Sequence, residues 1–262
     1  MSTKLYSLKL LYSGSDGNAA LLCTDSATVL IDAGRTAKAL TAALAAASVD
    51  PDTISAIFLT HEHRDHTAAL NVFLKRHPVP VHTTTASAAR LRACGGEALS
   101  ACLVEHTPLF TEQIGNLSVA SFETPHDSAC SVGYRVSVPD GDTVHFIGYA
   151  TDLGAVTPAV ENALTGCEAV VIECNHDEEM LVTGPYPADL KRRIASRHGH
   201  LSNRDCAALC ARLAARGTKR FLLAHLSEIN NDPALALGEV TAALAGTGAH
   251  VAAADPFMTT EL

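Results

Sequence analysis

The sequence contains no tryptophan, and phenylalanine and tyrosine bring the aromatic share to only 5%. An aromatic platform for stacking the bases of a single strand is therefore not evident. Positive charge is also scarce: 19 lysines and arginines face 28 acidic residues, for a formal net charge of −9. That balance argues against a broad, non-specific nucleic-acid coat. It leaves a nuclease open, because bound divalent cations supply positive charge that residue counting misses. None of the eight cysteines belongs to a CxxC pair. Spread through apolar segments, they read as small core residues in a reducing cytoplasm rather than as a disulfide framework. Cys206 and Cys210 share a helix face, but no histidine or second cysteine pair accompanies them to make a zinc knuckle. No apolar run approaches the roughly 20 residues of a membrane helix. Lys4, Ser7 and Lys9 interrupt the stretch where a signal peptide needs an apolar core. A cytoplasmic protein without a membrane partner is the expectation.

What is present is a chain of 262 residues, 47% of them hydrophobic, enough for a sizeable core without disulfide help. It shows no linker, low-complexity tract or strong internal repeat, so residues 1–262 read as one domain. Strands are predicted over 4–12, 19–23, 28–31, 54–59, 79–82, 117–122, 131–138, 143–147, 169–173 and 221–224. Helices are predicted over 36–47, 67–76, 85–93, 187–197, 203–216 and 233–245. Clustered strands in each half, with helices interleaved and following, suggest sheets packed together with helices outside. Between the first two strands, Gly14-Ser15-Asp16-Gly17-Asn18 reads either as a hairpin turn or as a loop whose backbone N–H groups approach an anion.

The densest chemistry follows the apolar run 54–59. Within six residues stand His61, His63, Asp65 and His66. His61 and His63 are two apart in extended chain, so their side chains leave one side, and Asp65 and His66 enter the next turn. Ligands split into two groups suit two adjacent metals better than one. Isolated histidines carry less: His77, His82, His106, His145 and His250 lack a partner pattern and read as surface or hydrogen-bonded residues.

HxHxDH after an apolar strand resembles the metal motif of the metallo-β-lactamase superfamily. Its companions occur in order: Asp32 in Leu30-Ile31-Asp32-Ala33-Gly34, His126 in Thr124-Pro125-His126-Asp127, Asp152 in Thr151-Asp152-Leu153-Gly154, and His225 in Leu223-Ala224-His225. Ser13 to Asn18, Glu173-Cys174-Asn175-His176-Asp177, Gly199-His200-Leu201-Ser202-Asn203 and the stretch His225 to Pro233 further resemble the YycJ/WalJ group of 5′→3′ DNA exonuclease-like members. The resemblance covers essentially the whole chain. It implies an α/β fold, a four-layer αββα sandwich, with two divalent ions at one edge: zinc first, manganese or iron as alternatives.

Carried over by position, His61, His63 and His126 would hold one ion, and Asp65, His66 and His225 the other. Asp152 would bridge, with Asp127 an alternative donor beside His126 and Asp32 orienting the ligand loop. The implied reaction is phosphodiester hydrolysis on DNA, single strands or 5′ ends, by a metal-bridging hydroxide. Asp65 would be catalytic through the metal. His200 would stabilise the transition state or protonate the leaving oxygen, and Ser15, Asn18 and His176 would contact phosphate. A ribonuclease or a thioester or lactam hydrolase is the alternative on the same metals. Where the group commonly has a second serine in its glycine loop, this chain has Asp16. Lys191, Arg192, Arg193, Arg197 and Arg204 gather charge near His200, either as a phosphate-binding patch or as a solvated helix face.

Overall fold

A computed structural model of the chain describes residues 5–262; residue 4 of the first predicted strand lies outside them. Its strands are β1 (Ser7–Tyr12), β2 (Ala19–Cys23), β3 (Thr28–Ile31), β4 (Ala56–Phe58), β5 (Val81–Thr84), β6 (Leu103–His106), β7 (Thr111–Ile114), β8 (Leu117–Glu123), β9 (Val132–Asp140), β10 (Thr143–Ala150), β11 (Ala169–Glu173), β12 (Arg220–Ala224), β13 (His250–Ala253) and β14 (Thr260–Glu261). Its helices are α1 (Ala37–Ala46), α2 (Arg64–Thr67), α3 (Leu70–Phe73), α4 (Thr85–Cys94), α5 (Glu97–Cys102), α6 (Pro158–Leu164), α7 (Glu178–Thr183), α8 (Ala188–Ile194), α9 (Asn203–Ala214) and α10 (Pro233–Ala243).

The strands form two seven-stranded mixed sheets, ordered β14-β1-β2-β3-β4-β5-β6 and β13-β12-β11-β10-β9-β8-β7. Each sheet is antiparallel on one side and parallel on the other: β3 to β6 run parallel in the first, β10 to β13 in the second. Period-two alternation sorts the side chains into layers. Leu8, Leu10, Val29, Phe58, Val119, Tyr134, Val136 and Leu222 meet between the sheets. Leu21, Leu30 and Ile57 face outward onto Leu40, Leu44, Leu70 and Phe73 of the helices over the first sheet. Val170, Ile172, Leu223 and Phe221 pack on α6, α9 and α10 over the second. This is the four-layer αββα arrangement expected.

The predicted helix over 67–76 is instead the pair α2 and α3, and the interruption has a cause. The Asp65 and His66 carbonyls that would continue a helical ladder accept from Asn18 N–H at 2.8 Å and Ala33 N–H at 2.8 Å, while Ala69 N–H donates to Ala33 O at 3.0 Å. The ligand stretch is thus sewn to the loops after β1 and β3. Strands β6, β7, β13 and β14 were not anticipated; they are short and mostly half-exposed, so their apolar signal is weak.

Candidate metal centre

The side chains of interest hang from the C-terminal ends of strands. Asp32 follows β3, His61 to His66 follow β4, His126 follows β8, Asp152 follows β10, Glu173 closes β11 and His225 follows β12. Asp32, Asp152 and His225 sit in left-handed backbone, at φ 63°, 54° and 56°. For residues other than glycine that costs about 1–3 kcal/mol each and persists where the surroundings over-determine it. Here it turns each side chain inward as its strand ends.

The structure brings together all seven expected ligands. His61, His63 and His126 form one compact group of donor atoms, and Asp65, His66, Asp152 and His225 form another. Asp152 lies between them: one carboxylate oxygen is 3.1 Å from His66 Nε2, and the other is 3.6 Å from His126 Nε2 and 3.7 Å from His225 Nδ1. Asp65 reaches His66 Nε2 at 3.2 Å and His225 Nε2 at 3.5 Å. His126 stands with His61 and His63, while Asp127 lies 3.4 Å from His126 Nε2 and pairs with Arg193.

Outer partners fix the rings. His66 Nδ1 lies 2.8 Å from Asp32, whose carboxylate also accepts from Thr60 N–H at 2.9 Å. His126 Nδ1 lies 3.1 Å from Gly199 O. One buried carboxylate oxygen of Glu173 lies 2.8 Å from both His200 Nδ1 and His225 Nδ1, and the other accepts from Leu153 and Leu201 N–H. A second atom held on each ring leaves its other nitrogen aimed at the centre. Glu173 was legible as part of a motif but not as a site residue, because its role depends on two loops far along the chain.

The arrangement calls for cations. Asp32, Asp152 and Glu173 are buried, and the ion-pair partners the structure gives them are imidazoles. Burial opposes charge on His66 and His225, yet the surrounding carboxylates win and hold both well above the usual imidazole range. Burial likewise opposes ionisation of Asp65, and His66 and His225 reverse it, holding the carboxyl well below its usual range. Burial and the neighbouring His66 push His61 down. His61 Nε2 and His225 Nε2 are buried without a hydrogen-bond partner, an expense that native interiors rarely leave uncompensated. Nitrogen and carboxylate donors converging on such orphaned atoms fit two divalent ions.

The expected substrate contacts divide. Ser15 lines two clefts beside the centre, one of about 160 Å3 with Asn175, Tyr186, Arg193 and His200, the other of about 560 Å3 with Asp16, Arg35, Arg64 and Asp65. His200 also lines a neighbouring cleft of about 280 Å3 together with His176. Asn18 does not serve as expected. It is fully buried, and its amide is engaged by Ser13, Gly14 and His66, so it clasps the loop rather than meeting a phosphate. Of the basic run, Arg193 reaches the His200 cleft, whereas Arg192 pairs with Asp189, Arg204 pairs with Glu178 and Lys191 donates to Val182 O. The solvated-face reading therefore holds for most of that run. His77 and His145 pair with Asp52 and Glu168, and His82 with His106, as hydrogen-bonded histidines.

Gly34 admits a sharp test. A Cβ there would lie 1.9 Å from the Asp65 carbonyl oxygen and 2.6 Å from Asn18 N, both backbone. Gly34→Ala is expected to push the ligand stretch off the loop, destabilise the fold by roughly 1–3 kcal/mol and weaken metal binding. Thermal melts and metal titration check it; a variant matching the parent in both would show that the loops yield freely.

The comparisons with known proteins agree with this geometry. The profile of the β-lactamase superfamily domain matches residues 27–226. An exodeoxyribonuclease YycJ of Bacillus anthracis is 33% identical over 259 residues, covering 97% of each chain. An exodeoxyribonuclease WalJ of Streptococcus pneumoniae is 32% identical over 240 residues, covering 90% of this chain and 87% of its own. Among solved structures, the metallo-β-lactamase fold protein YhfI of Bacillus subtilis aligns with a TM-score of 0.73 at 17% identity, covering 97% of this chain and 99% of that one. With the fold, the strand-end donor set and these relatives in agreement, this chain belongs to the β-lactamase superfamily, in its metallo-β-lactamase fold and close to the YycJ/WalJ group.

Proposed function

We propose that this chain is a dinuclear metal-dependent phosphodiesterase that removes nucleotides from DNA in the 5′→3′ direction. The observation that carries the hydrolytic part is Asp152, which stands in one donor group with Asp65, His66 and His225 and reaches His126 of the other at 3.6 Å. The substrate part is supported by relatives named exodeoxyribonuclease along nearly the whole chain.

His61, His63 and His126 would hold one ion; Asp65, His66 and His225 would hold the other, with Asp152 between. Bound there, divalent ions supply Lewis-acid polarisation of the phosphoryl group and a lower pKa for the attacking water. The chain's own residues do the rest. Asp32, Glu173 and the Gly199 carbonyl fix ring orientations so that no reorganisation is needed during reaction. Ser15 contacts the phosphate. His176 lines the cleft shared with His200, buried with an unpartnered Nδ1, and is the second phosphate contact.

His200 provides the proton for the departing 3′ oxygen. Burial opposes its charge, but Glu173 outweighs burial and raises it from its ordinary value, which favours the protonated form that a proton donor needs. His200→Ala is expected to slow DNA cleavage by about 10²-fold, with a much smaller loss on a p-nitrophenyl phosphodiester, whose leaving group needs no proton. Equal losses on both substrates, or none, would remove this role.

The function is tested by incubating metal-reconstituted protein with 5′- and 3′-labelled DNA and RNA strands, alongside a thioester and a β-lactam. Mononucleotide release from the 5′ end of DNA is the expected result. Turnover confined to RNA or to the carbonyl substrates overturns it.

A further inference from the structure

We propose that Phe257, held on the Arg35 guanidinium beside the metal centre, is a stacking platform for a base of the DNA strand whose phosphates lie along Arg35 and Arg64. This rests on the reading of DNA as substrate and says how the strand is gripped.

The platform is assembled from distant parts of the chain. The Arg35 guanidinium lies 5.1 Å from the Tyr12 ring centroid and 4.7 Å from that of Phe257. Its Nη2 donates to Pro256 O at 2.8 Å, tying the segment that carries Phe257 to the arginine. Gly17 makes the room: a Cβ there would meet the Arg35 stem at 2.4 Å. The Gly14–Asn18 loop therefore serves the groove by letting Arg35 pass, a different service from cradling an anion.

Three features point to a nucleotide strand as the occupant. The groove of about 560 Å3 on which Arg35 and Arg64 open also contains Asp65, so it runs directly to the metal centre. Phe257 is 63% exposed and the adjoining Met258 67%, in a protein that buries most of its large apolar side chains. An exposed aromatic face beside cationic side chains is the combination that takes a base and its phosphate together. Asp16 also lines the groove, but with Asp65 engaged by His66 and His225 the two arginines leave it a positive excess. The smaller cleft at His200, about 160 Å3, shares Ser15 with this groove, so the wider groove is the one with room for a strand.

The test places 2-aminopurine at successive positions near the 5′ end of a short single strand and follows its fluorescence on binding, with cleavage kinetics measured in parallel on the Mn2+- or Zn2+-loaded protein. Wild type is expected to quench one position strongly. Phe257→Ala should lose that quenching and raise Kd and KM about tenfold with kcat held, and Phe257→Trp should restore both. Arg64→Gln should make the dependence of log Kd on log salt shallower by about 0.7. If wild type cuts DNA but Phe257→Ala binds and quenches as wild type does, the platform is overturned alone. If wild type neither binds nor cuts the strand, it falls together with the function it rests on. Phe257 is mostly exposed, so its replacement leaves the fold intact.

Discussion

Asp152→Asn is expected to abolish the proposed dinuclear centre and to lower turnover by on the order of 10³-fold, about 4 kcal/mol in transition-state terms. The carboxylate stands within 4 Å of the imidazoles of His66, His126, His200 and His225, so it reaches both halves of the site. An amide keeps the shape and removes the charge. Two cations bound in the adjacent donor groups would repel without that anion, and the remaining donors would suit at most one. Metal analysis after dialysis should find less than the parent's content, and labelled DNA should persist. A variant that retains both ions and the parental rate would mean that the bridging role belongs elsewhere.

Glu173→Gln is expected to be the next most damaging change although Glu173 is not itself among the proposed ligands. One of its oxygens serves two imidazoles and the other two backbone N–H groups, all with the side chain buried. A carboxylate accepts all four contacts; an amide accepts on one side only. Its NH2 must face either Leu153 and Leu201 N–H or the two ring nitrogens. His225 and His200 then lose their fixed orientation together. Outer partners of this kind typically carry 10- to 100-fold in metal affinity or activity, so about that loss is expected in both. A stability loss of roughly 1–3 kcal/mol from the unmatched buried groups should accompany it. Metal affinity and DNA turnover should fall in parallel; loss of turnover at unchanged affinity would assign Glu173 to His200 alone.

Much of the site was legible because it is local. His61, His63, Asp65 and His66 sit within six residues, and a strand followed by a turn must present them at one sheet edge. The main strands were equally open to reading, since 56–59 and 169–172 are uninterrupted apolar runs that suit a doubly covered strand. The edge strands were not. At β7 and β13 alternate residues are solvated, so composition there differs little from a loop's. The broken helix after the motif was hidden as well. Its sequence is compatible with a continuous helix, and only the competing bonds from Asn18 and Ala33 end it.

Residue type and short spacing were enough to place the chain in its superfamily and to single out the candidate donors. Tertiary structure decided what depends on distances between strand ends. It placed His126 with His61 and His63, made Asn18 a loop clasp and set Glu173 between two histidines 25 residues apart. It also gave a scarce residue type a position that composition could not foretell. A chain with 5% aromatics and no tryptophan still presents an exposed ring beside the metal centre. Composition counts side chains, whereas Arg35 and Phe257, 222 positions apart, become neighbours only when the C-terminal segment folds back against the loop after β3.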